Sequence, residues 1–174
     1  MELIDIFRNR RSVRKYTDGK ITDEQLNQVL EAGLLSASGK AIRPWEMIVV
    51  RDKETMKKMS GCREGSGKML ESADAAIVVI ADQGKSDVWI EDCSVVMGYM
   101  HLMASSLGLG SCWIQGRLRN AVDGQTTEEY LRGILGYPEG YKLEATLVLG
   151  VPAEHPAAHS LSDIQEGKVH YEKY

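Results

Sequence analysis

The stretch DVWIEDCSVVMGYMHLMASSL, from Asp87 to Leu107, is long enough for about six helical turns. Apolar side chains recur on most faces of such a helix. A helix that is apolar nearly all round must be buried, either inside a large core or against a second subunit. Because the chain has only 174 residues, its own core is modest, and we expect this helix to lie in the core of a dimer.

Apolar periodicity on both sides of this segment predicts alternating helices and strands. Helices are predicted at residues 3–7, 22–36, 52–59 and 126–135, and strands at 46–50, 75–81 and 143–151, with a short strand inside 107–116. The run from Ala75 to Ala81 is apolar throughout, which is typical of a strand buried on both faces. This order of elements predicts an α/β or α+β layer fold with about four strands.

The length of the chain suits a single domain that spans residues 1–174. The last part of it, residues 152–174, is polar and has no core pattern of its own. If this tail is ordered, it must therefore lie on another part of the protein or on a partner.

The overall charge excludes a large class of partners. Lys and Arg number 21, Asp and Glu number 25, and the formal net charge is −4. A chain with this balance lacks the positive field of a nucleic-acid binder. The positive charges are nevertheless clustered near the start of the chain, at Arg8, Arg10, Arg11, Arg14 and Lys15. Such a local cluster favours a small anionic ligand.

Neither a membrane segment nor a disulfide framework is indicated. The longest uninterrupted apolar run, Ala75 to Ala81, is too short to span a bilayer, and the first residues do not have the pattern of a signal peptide. The three cysteines, Cys62, Cys93 and Cys112, are odd in number and widely spaced, which is typical of reduced thiols. We therefore expect a cytoplasmic protein with no membrane partner.

Three segments carry residues that could hold a ligand. RRSVRKY (10–16) supplies guanidinium groups that suit phosphate and carbonyl oxygens, although it could equally be a solvated basic face. SGKAIRPW (38–45) has small residues that let a flat ligand approach the backbone, or it is a plain helix-to-strand connection. In GLGSCWIQG (108–116), backbone N–H groups near its end could donate to a ligand, or the segment is simply a glycine-tolerant entry into a strand.

Other motifs do not meet the requirements of the chemistry they suggest. GSGK (65–68) lacks the spacing of a phosphate loop. His155 and His159 have no third ligand nearby, so no metal site is predicted. Cys112 has no adjacent base and is expected to be a buried structural thiol. Asp92, inside the apolar helix, is expected to be a satisfied polar contact rather than a catalyst.

Six segments, taken in chain order, resemble the nitroreductase-like family of FMN-dependent oxidoreductases. They are RRSVRKY (10–16), ASGKAIRPWEMIVV (37–50), KMLESADAAIVV (68–79), LGLGSCWIQG (107–116), LVLGVPAEHP (147–156) and the closing KVHYEKY (168–174). No single segment decides the matter, but their joint order is specific and extends over nearly the whole chain.

The resemblance implies a fold, an assembly and an activity. The fold is α+β, with a central, mostly antiparallel sheet flanked by helices. The assembly is a homodimer with a long buried interface helix, FMN at the subunit interface and the tail 152–174 packed on the partner. The activity is transfer of electrons from NADH or NADPH through flavin N5 to a small organic acceptor, such as a nitroaromatic or a quinone, with ping-pong kinetics. No side chain need act as a catalyst and no metal is implied.

The resemblance also implies which residues contact FMN. In chain order they are Arg10 (phosphate), Arg11 (backbone), Ser12 (ribityl chain), Arg14 (pyrimidine), Ser38 and Gly39 (the loop laid down by the partner subunit), Lys68 (pyrimidine carbonyl), and Gln115 and Gly116 (backbone donors near N5 and O4). Arg43, Ile114 and His159 complete the predicted set of cofactor-binding residues.

The chain departs from the family pattern at several of these positions. Ala41 stands where the family usually has Asn, Arg43 where it often has Gln, and Gly65 where a polar residue is common. Residues 157–159, Ala-Ala-His, replace a basic pair that completes the phosphate site in many members. Two alternatives therefore stay open: another flavin enzyme on the same fold, such as an enone reductase, a dehalogenase or a flavin-consuming enzyme, and a flavin-binding sensor without turnover.

Overall fold

A computed structural model describes residues 2–174. Its centre is a four-stranded sheet made of Trp45–Val50 (β1), Ala75–Asp82 (β2), Gly110–Gln115 (β3) and Tyr141–Gly150 (β4). The strands lie in the order β1-β2-β4-β3, and every neighbouring pair is antiparallel. This arrangement confirms the predicted α+β class with an antiparallel sheet.

Within residues 2–174, five α-helices accompany the sheet. They are Leu3–Asn9 (α1), Asp23–Leu34 (α2), Lys53–Met59 (α3), Trp89–Ser106 (α4) and Thr127–Leu135 (α5). Capping boxes at Thr22 with Gln25 and at Thr126 with Glu129 begin α2 and α5, because each side chain satisfies a free N–H group of the first turn. The predicted order of helices and strands is confirmed, and α4 begins two residues later than expected.

The sheet separates two apolar cores, and its strand β2 is buried on both faces. On one face α2 and α4 pack against the sheet, with Val29, Met97 and Met100 fully buried. On the other face α3 and α5 do the same, with Met56 and Leu131 fully buried. The continuous apolar run of β2 is thus explained by two-sided packing, as the sequence predicts.

One face of α4 is not covered within a single chain. Tyr99 is 45% exposed, and Leu102 and Met103 line an apolar groove of about 380 Å³ between α4 and α1. Leu3 and Phe7 of α1 border the same groove and are themselves exposed. We call this surface the α1–α4 groove. Its lining is almost entirely apolar, which is unusual for a solvated surface.

The tail divides into two parts. Residues 152–159 run along the N-terminal segment: Ala153 N–H donates to the Lys15 carbonyl oxygen at 2.9 Å, and His159 N–H donates to that of Arg8 at 2.8 Å. Residues 160–174 are exposed throughout, including the apolar side chains of Leu161 and Val169. No helix of the described residues is both long and apolar enough to cross a membrane.

Candidate functional site

The N-terminal segment 10–16 lies along the outer edge of β3. Ser12 forms a parallel bridge with Ser111, and Val13 N–H donates to the Ser111 carbonyl oxygen at 2.9 Å. The close approach requires glycine at position 110, because a Cβ atom there would lie 2.8 Å from Cγ1 of Val13. The basic residues of this segment are thereby placed beside the outer edge of β3.

Three guanidinium groups lie near enough to Cys112 on β3 for their charges to act on its thiol. Burial raises the pKa of the Cys112 thiol, while Arg14, a hydrogen bond from Ser12, Arg10 and Arg63 act in the opposite direction. None of these three arginines forms an ion pair with a carboxylate within residues 2–174. We call Arg10, Arg14 and Arg63 the basic cluster. Its uncompensated charge suits an anionic ligand.

Arg63 is a member of this cluster that sequence reasoning missed. It belongs to the irregular segment between α3 and β2, where Gly67 N–H donates to its carbonyl oxygen at 3.1 Å. Its Nη1 donates to the Gln115 carbonyl oxygen at 3.5 Å. This contact joins positions 52 residues apart in the chain, and the local sequence pattern of neither segment predicts it.

The end of β3 presents one free backbone donor rather than the predicted two. Backbone groups alternate in direction along an edge strand, and Ser111 bonds Val13 on the outer side, so Gln115 N–H also points outward. Gly116 N–H, in contrast, donates to the Glu144 carbonyl oxygen at 3.1 Å. Glu144 is the extra residue of a β-bulge in β4, which brings its carbonyl oxygen to this point. The predicted donor pair is therefore corrected to Gln115 alone.

The side chain of Gln115 is held in place by its neighbours. Trp113 Nε1 donates to Gln115 Oε1 at 2.8 Å, and Gln115 Nε2 lies 3.4 Å from Glu144 Oε1. Burial raises the pKa of Glu144, whose Oε2 has no hydrogen-bond partner in the described chain. The network fixes the end of β3, so the outward N–H of Gln115 has a defined direction.

The loop that leads into β1 is held by a hydrogen bond to the start of α4. Asp92 is 4% exposed, and its Oδ1 accepts a hydrogen bond from Gly39 N–H at 2.8 Å. Ser38 Oγ accepts from Arg43 N–H at 3.0 Å. Lys40, Ala41 and Arg43 all have positive φ angles, of 52°, 57° and 52°, a conformation that is costly for residues with a Cβ atom. Asp92 is thus a satisfied polar contact, as predicted, and it holds a strained loop.

This loop and the basic cluster are not brought together within one chain. The loop precedes β1 and the basic cluster borders β3, which are the two opposite edges of the sheet. The loop is fixed at Asp92 and Arg10 at His101, positions about 14 Å apart along α4 at 1.5 Å per residue. One chain therefore carries two separate halves of the predicted site.

The remaining predicted residues have different environments. Lys68 is exposed, on the segment that also carries Arg63. The Arg11 guanidinium donates to the Ala157 carbonyl oxygen and so holds the tail. His159 pairs with Asp163 at 3.5 Å, and its backbone bonds Arg8 rather than the basic cluster.

Ile114 does not support its predicted contact with a cofactor. The side chain is 1% exposed and packs into the core on the side of α3 and α5. Its backbone groups point toward β4, because it alternates with Gln115. Ile114 therefore has no polar group available to a ligand, and it is not retained in the site.

The fold and the edge-strand site together define a class of protein, the α+β flavin oxidoreductases. The sequence model of the Nitroreductase family matches residues 7–62 and 61–151, and the chain belongs to this family. The predicted resemblance is therefore confirmed.

Solved structures and a curated relative agree with this assignment. An FMN-dependent nitroreductase from Clostridium difficile R20291 is 44% identical, with a TM-score of 0.95 over 98% of this chain and 99% of that one. A curated protein of Archaeoglobus fulgidus, named for NADH dehydrogenase and NAD(P)H nitroreductase activity, is 36% identical over 99% of each chain. The NADPH:FMN oxidoreductase of Vibrio harveyi, solved with NAD⁺, is 25% identical, with a TM-score of 0.81 over 99% of this chain and 77% of that one.

Proposed function

We propose that the protein is an FMN-dependent oxidoreductase that takes electrons from NADH or NADPH and passes them to a small organic acceptor. The observation that carries this proposal is the basic cluster beside the outward N–H of Gln115. An unpaired set of guanidinium groups fits a phosphate, and an edge N–H fits an acceptor atom of a flat ring. Family membership and the FMN-dependent relatives support the same conclusion.

The residues present fit FMN as a bound cofactor. When bound, FMN supplies the redox chemistry, accepting hydride from the nicotinamide and giving electrons to the acceptor. Arg10 is assigned to its phosphate, Ser12 to its ribityl chain, and Arg14 and Lys68 to the pyrimidine ring, whose negative charge their cations would stabilise. Gln115 is assigned the hydrogen bond to the ring edge. Arg63, which also contacts Gln115, adds positive charge at the same place.

A homodimer is the second part of the proposal. The two halves of the site are separated within one chain, and the α1–α4 groove is uncovered. A second copy would cover the groove and bring its loop, with Ser38, Gly39 and Arg43, to the basic cluster. The exposed segment 160–174 would pack on the partner. Each flavin site would then be built from both subunits.

Donor and acceptor would use the same open face of the flavin in turn, which gives ping-pong kinetics. No side chain is required as a nucleophile, since the cofactor carries the chemistry. The cysteines Cys62, Cys93 and Cys112 are buried and free, which supports a reducing, cytoplasmic setting.

The test is an anaerobic visible spectrum of the protein with FMN, before and after NADH and then NADPH. We expect a bound-flavin spectrum that bleaches with at least one nicotinamide and returns when a quinone or nitroaromatic is added.

Arg10→Gln should weaken FMN binding by about tenfold or more, because it removes a charge-assisted contact. Arg8→Gln, on the neighbouring surface, is the matched control and should bind normally. Binding without bleaching would contradict the oxidoreductase and favour a flavin sensor.

A further inference from the structure

His101 lies between Arg10 of the basic cluster and Ser111 on β3 and contacts both. It lies on α4 and is 7% exposed. Its Nε2 is 2.9 Å from Nη1 of Arg10, and its Nδ1 is 2.5 Å from Oγ of Ser111. A guanidinium only donates hydrogen bonds, so Nε2 must accept and carries no proton. The ring proton is therefore on Nδ1, facing the Ser111 hydroxyl oxygen. Ser111 thus stabilises the tautomer that is protonated on Nδ1 and whose Nε2 can accept from Arg10.

This contact orients Arg10 without neutralising it. A carboxylate in the place of His101 would pair with the guanidinium and compete with an anionic ligand. The neutral imidazole accepts one hydrogen bond and leaves the charge available. Burial, and then the nearby charge of Arg11, lower the pKa of Arg10, as expected for a partly desolvated cation. Within residues 2–174, Arg10 has no ion-pair partner that would relieve this.

We propose that His101 is a positioning residue for recognition of the FMN phosphate, and that Ser111 positions His101 in turn. His101 acts through Arg10: it fixes the guanidinium so that the remaining N–H donors are directed at the phosphate. The inference rests on the proposed function, in which Arg10 contacts that phosphate. It explains how the chain binds FMN without the basic pair that residues 157–159 replace.

The phosphate is what distinguishes FMN from riboflavin, so the ratio of their affinities measures this role. Apoprotein of the wild type and of each variant is titrated with FMN and with riboflavin, and binding is followed by quenching of flavin fluorescence. His101→Leu should lower FMN affinity by about tenfold to a hundredfold, because an orienting hydrogen bond to a charged group is lost. Its riboflavin affinity should stay within about twofold of the wild type, since riboflavin has no phosphate.

Two conservative variants and one control complete the experiment. His101→Gln keeps an acceptor near the Nε2 position and should retain most of the preference for FMN. Ser111→Ala frees the ring to place its proton on Nε2, facing Arg10, and should lose part of that preference; these two variants carry the test if His101→Leu does not fold. Met97→Ala removes a fully buried side chain one turn earlier on α4. It should lower the melting temperature without changing the FMN to riboflavin ratio.

The outcomes separate this inference from the proposed function. If the wild type prefers FMN and His101→Leu keeps the same preference, or loses both flavins equally, the positioning role is overturned while the proposed function stands. If the wild type binds neither flavin, or binds both equally, the assignment of Arg10 to a phosphate is wrong, and the inference is overturned with it.

Discussion

At the scale of single residues, the clearest strain lies at Ala41. Its φ angle of 57° places an exposed, β-carbon-bearing residue in the left-handed region, which costs roughly 1–2 kcal/mol. Ala41→Gly should therefore raise the free energy of unfolding by about 0.5–1 kcal/mol, the strain relief being partly offset by the greater freedom of glycine in the unfolded chain. Urea unfolding measures the change.

The matched control for this prediction is Ala37→Gly in the same loop. Ala37 is also exposed but has no positive φ angle, so glycine there should lower the free energy of unfolding by roughly 0.5–1 kcal/mol. The two substitutions are chemically identical and should change the free energy of unfolding in opposite directions. Two changes of the same sign would show that the loop is not strained at Ala41.

The protonation of His101 gives a second prediction at the residue scale. Burial, and then the charge of Arg10, lower the pKa of His101 from 6.5 to about 4. Between these two values the unfolded chain binds a proton that the native chain does not, so this group makes stability fall as the pH decreases from 6.5 toward 4. Below about pH 4 both states carry the proton and no further loss follows from this residue.

Urea unfolding of the wild type and His101→Leu at pH 7 and pH 4.5 isolates this effect. Carboxylates and the other histidines titrate in both proteins, so only the difference between the two is interpreted. The wild type should lose roughly 2 kcal/mol more than the variant over this interval, from 1.36 kcal/mol per pKa unit. Equal losses would mean that His101 has an ordinary pKa in the native protein.

At the scale of elements, α4 organises the site because it fixes the loop at Asp92 and Arg10 at His101. Asp92→Ala removes the acceptor of Gly39 N–H and should cost about 1–3 kcal/mol of stability, as is usual when a partly buried donor loses its partner. It should also release the loop, so that trypsin cleaves more rapidly after Lys40. Limited proteolysis with mass spectrometry of the fragments measures this.

Asp87→Ala serves as the control for the loop prediction. Asp87 precedes the same helix and is exposed, and the described structure records no side-chain hydrogen bond or ion pair for it. Its removal should change neither stability nor cleavage by more than a small amount. If Asp92→Ala and Asp87→Ala are cleaved at the same rate as the wild type, Asp92 does not hold the loop.

At the scale of the whole molecule, the α1–α4 groove is expected to be covered by a second copy of the chain. Tyr99→Glu places a charge in this groove and should shift the protein from dimer to monomer, since burying an unpaired charge is unfavourable. FMN binding should fall with it, because the loop would then have no partner's basic cluster to reach. Light scattering after size-exclusion chromatography measures the mass.

Val122→Glu is the comparison for the dimer prediction. Val122 is 64% exposed and lies away from the groove, between β3 and α5. The Val122→Glu variant should have the same mass and the same flavin affinity as the wild type. A monomeric wild type, or a Tyr99→Glu variant that remains dimeric, would contradict the proposed assembly.

The sequence predicts the elements better than it predicts the site, for a physical reason. Helices and strands are encoded by local periodicity and by caps such as Thr22 with Gln25, and these were correctly predicted. The contacts of His101 with Arg10 span 91 residues, and no local pattern encodes which distant side chain fills a given space. The N–H of Gly116 is not free because it donates to Glu144 at a β-bulge, which the sequence of a single strand does not reveal.

The division of the site between two separate positions along α4 has a genetic consequence. Gly39 cannot carry a side chain without moving the loop, because a Cβ atom there would lie 2.8 Å from Cγ2 of Val88. A Gly39→Val chain would thus contribute a damaged loop to the site that contains its partner's Arg10. An Arg10→Gln chain would lose the phosphate contact in the site that contains its own basic cluster. Co-expression of the two impaired chains should yield mixed dimers in which one site holds both defects and the other none. Two alleles that each fail alone should therefore complement one another, restoring up to half of the sites in every mixed dimer.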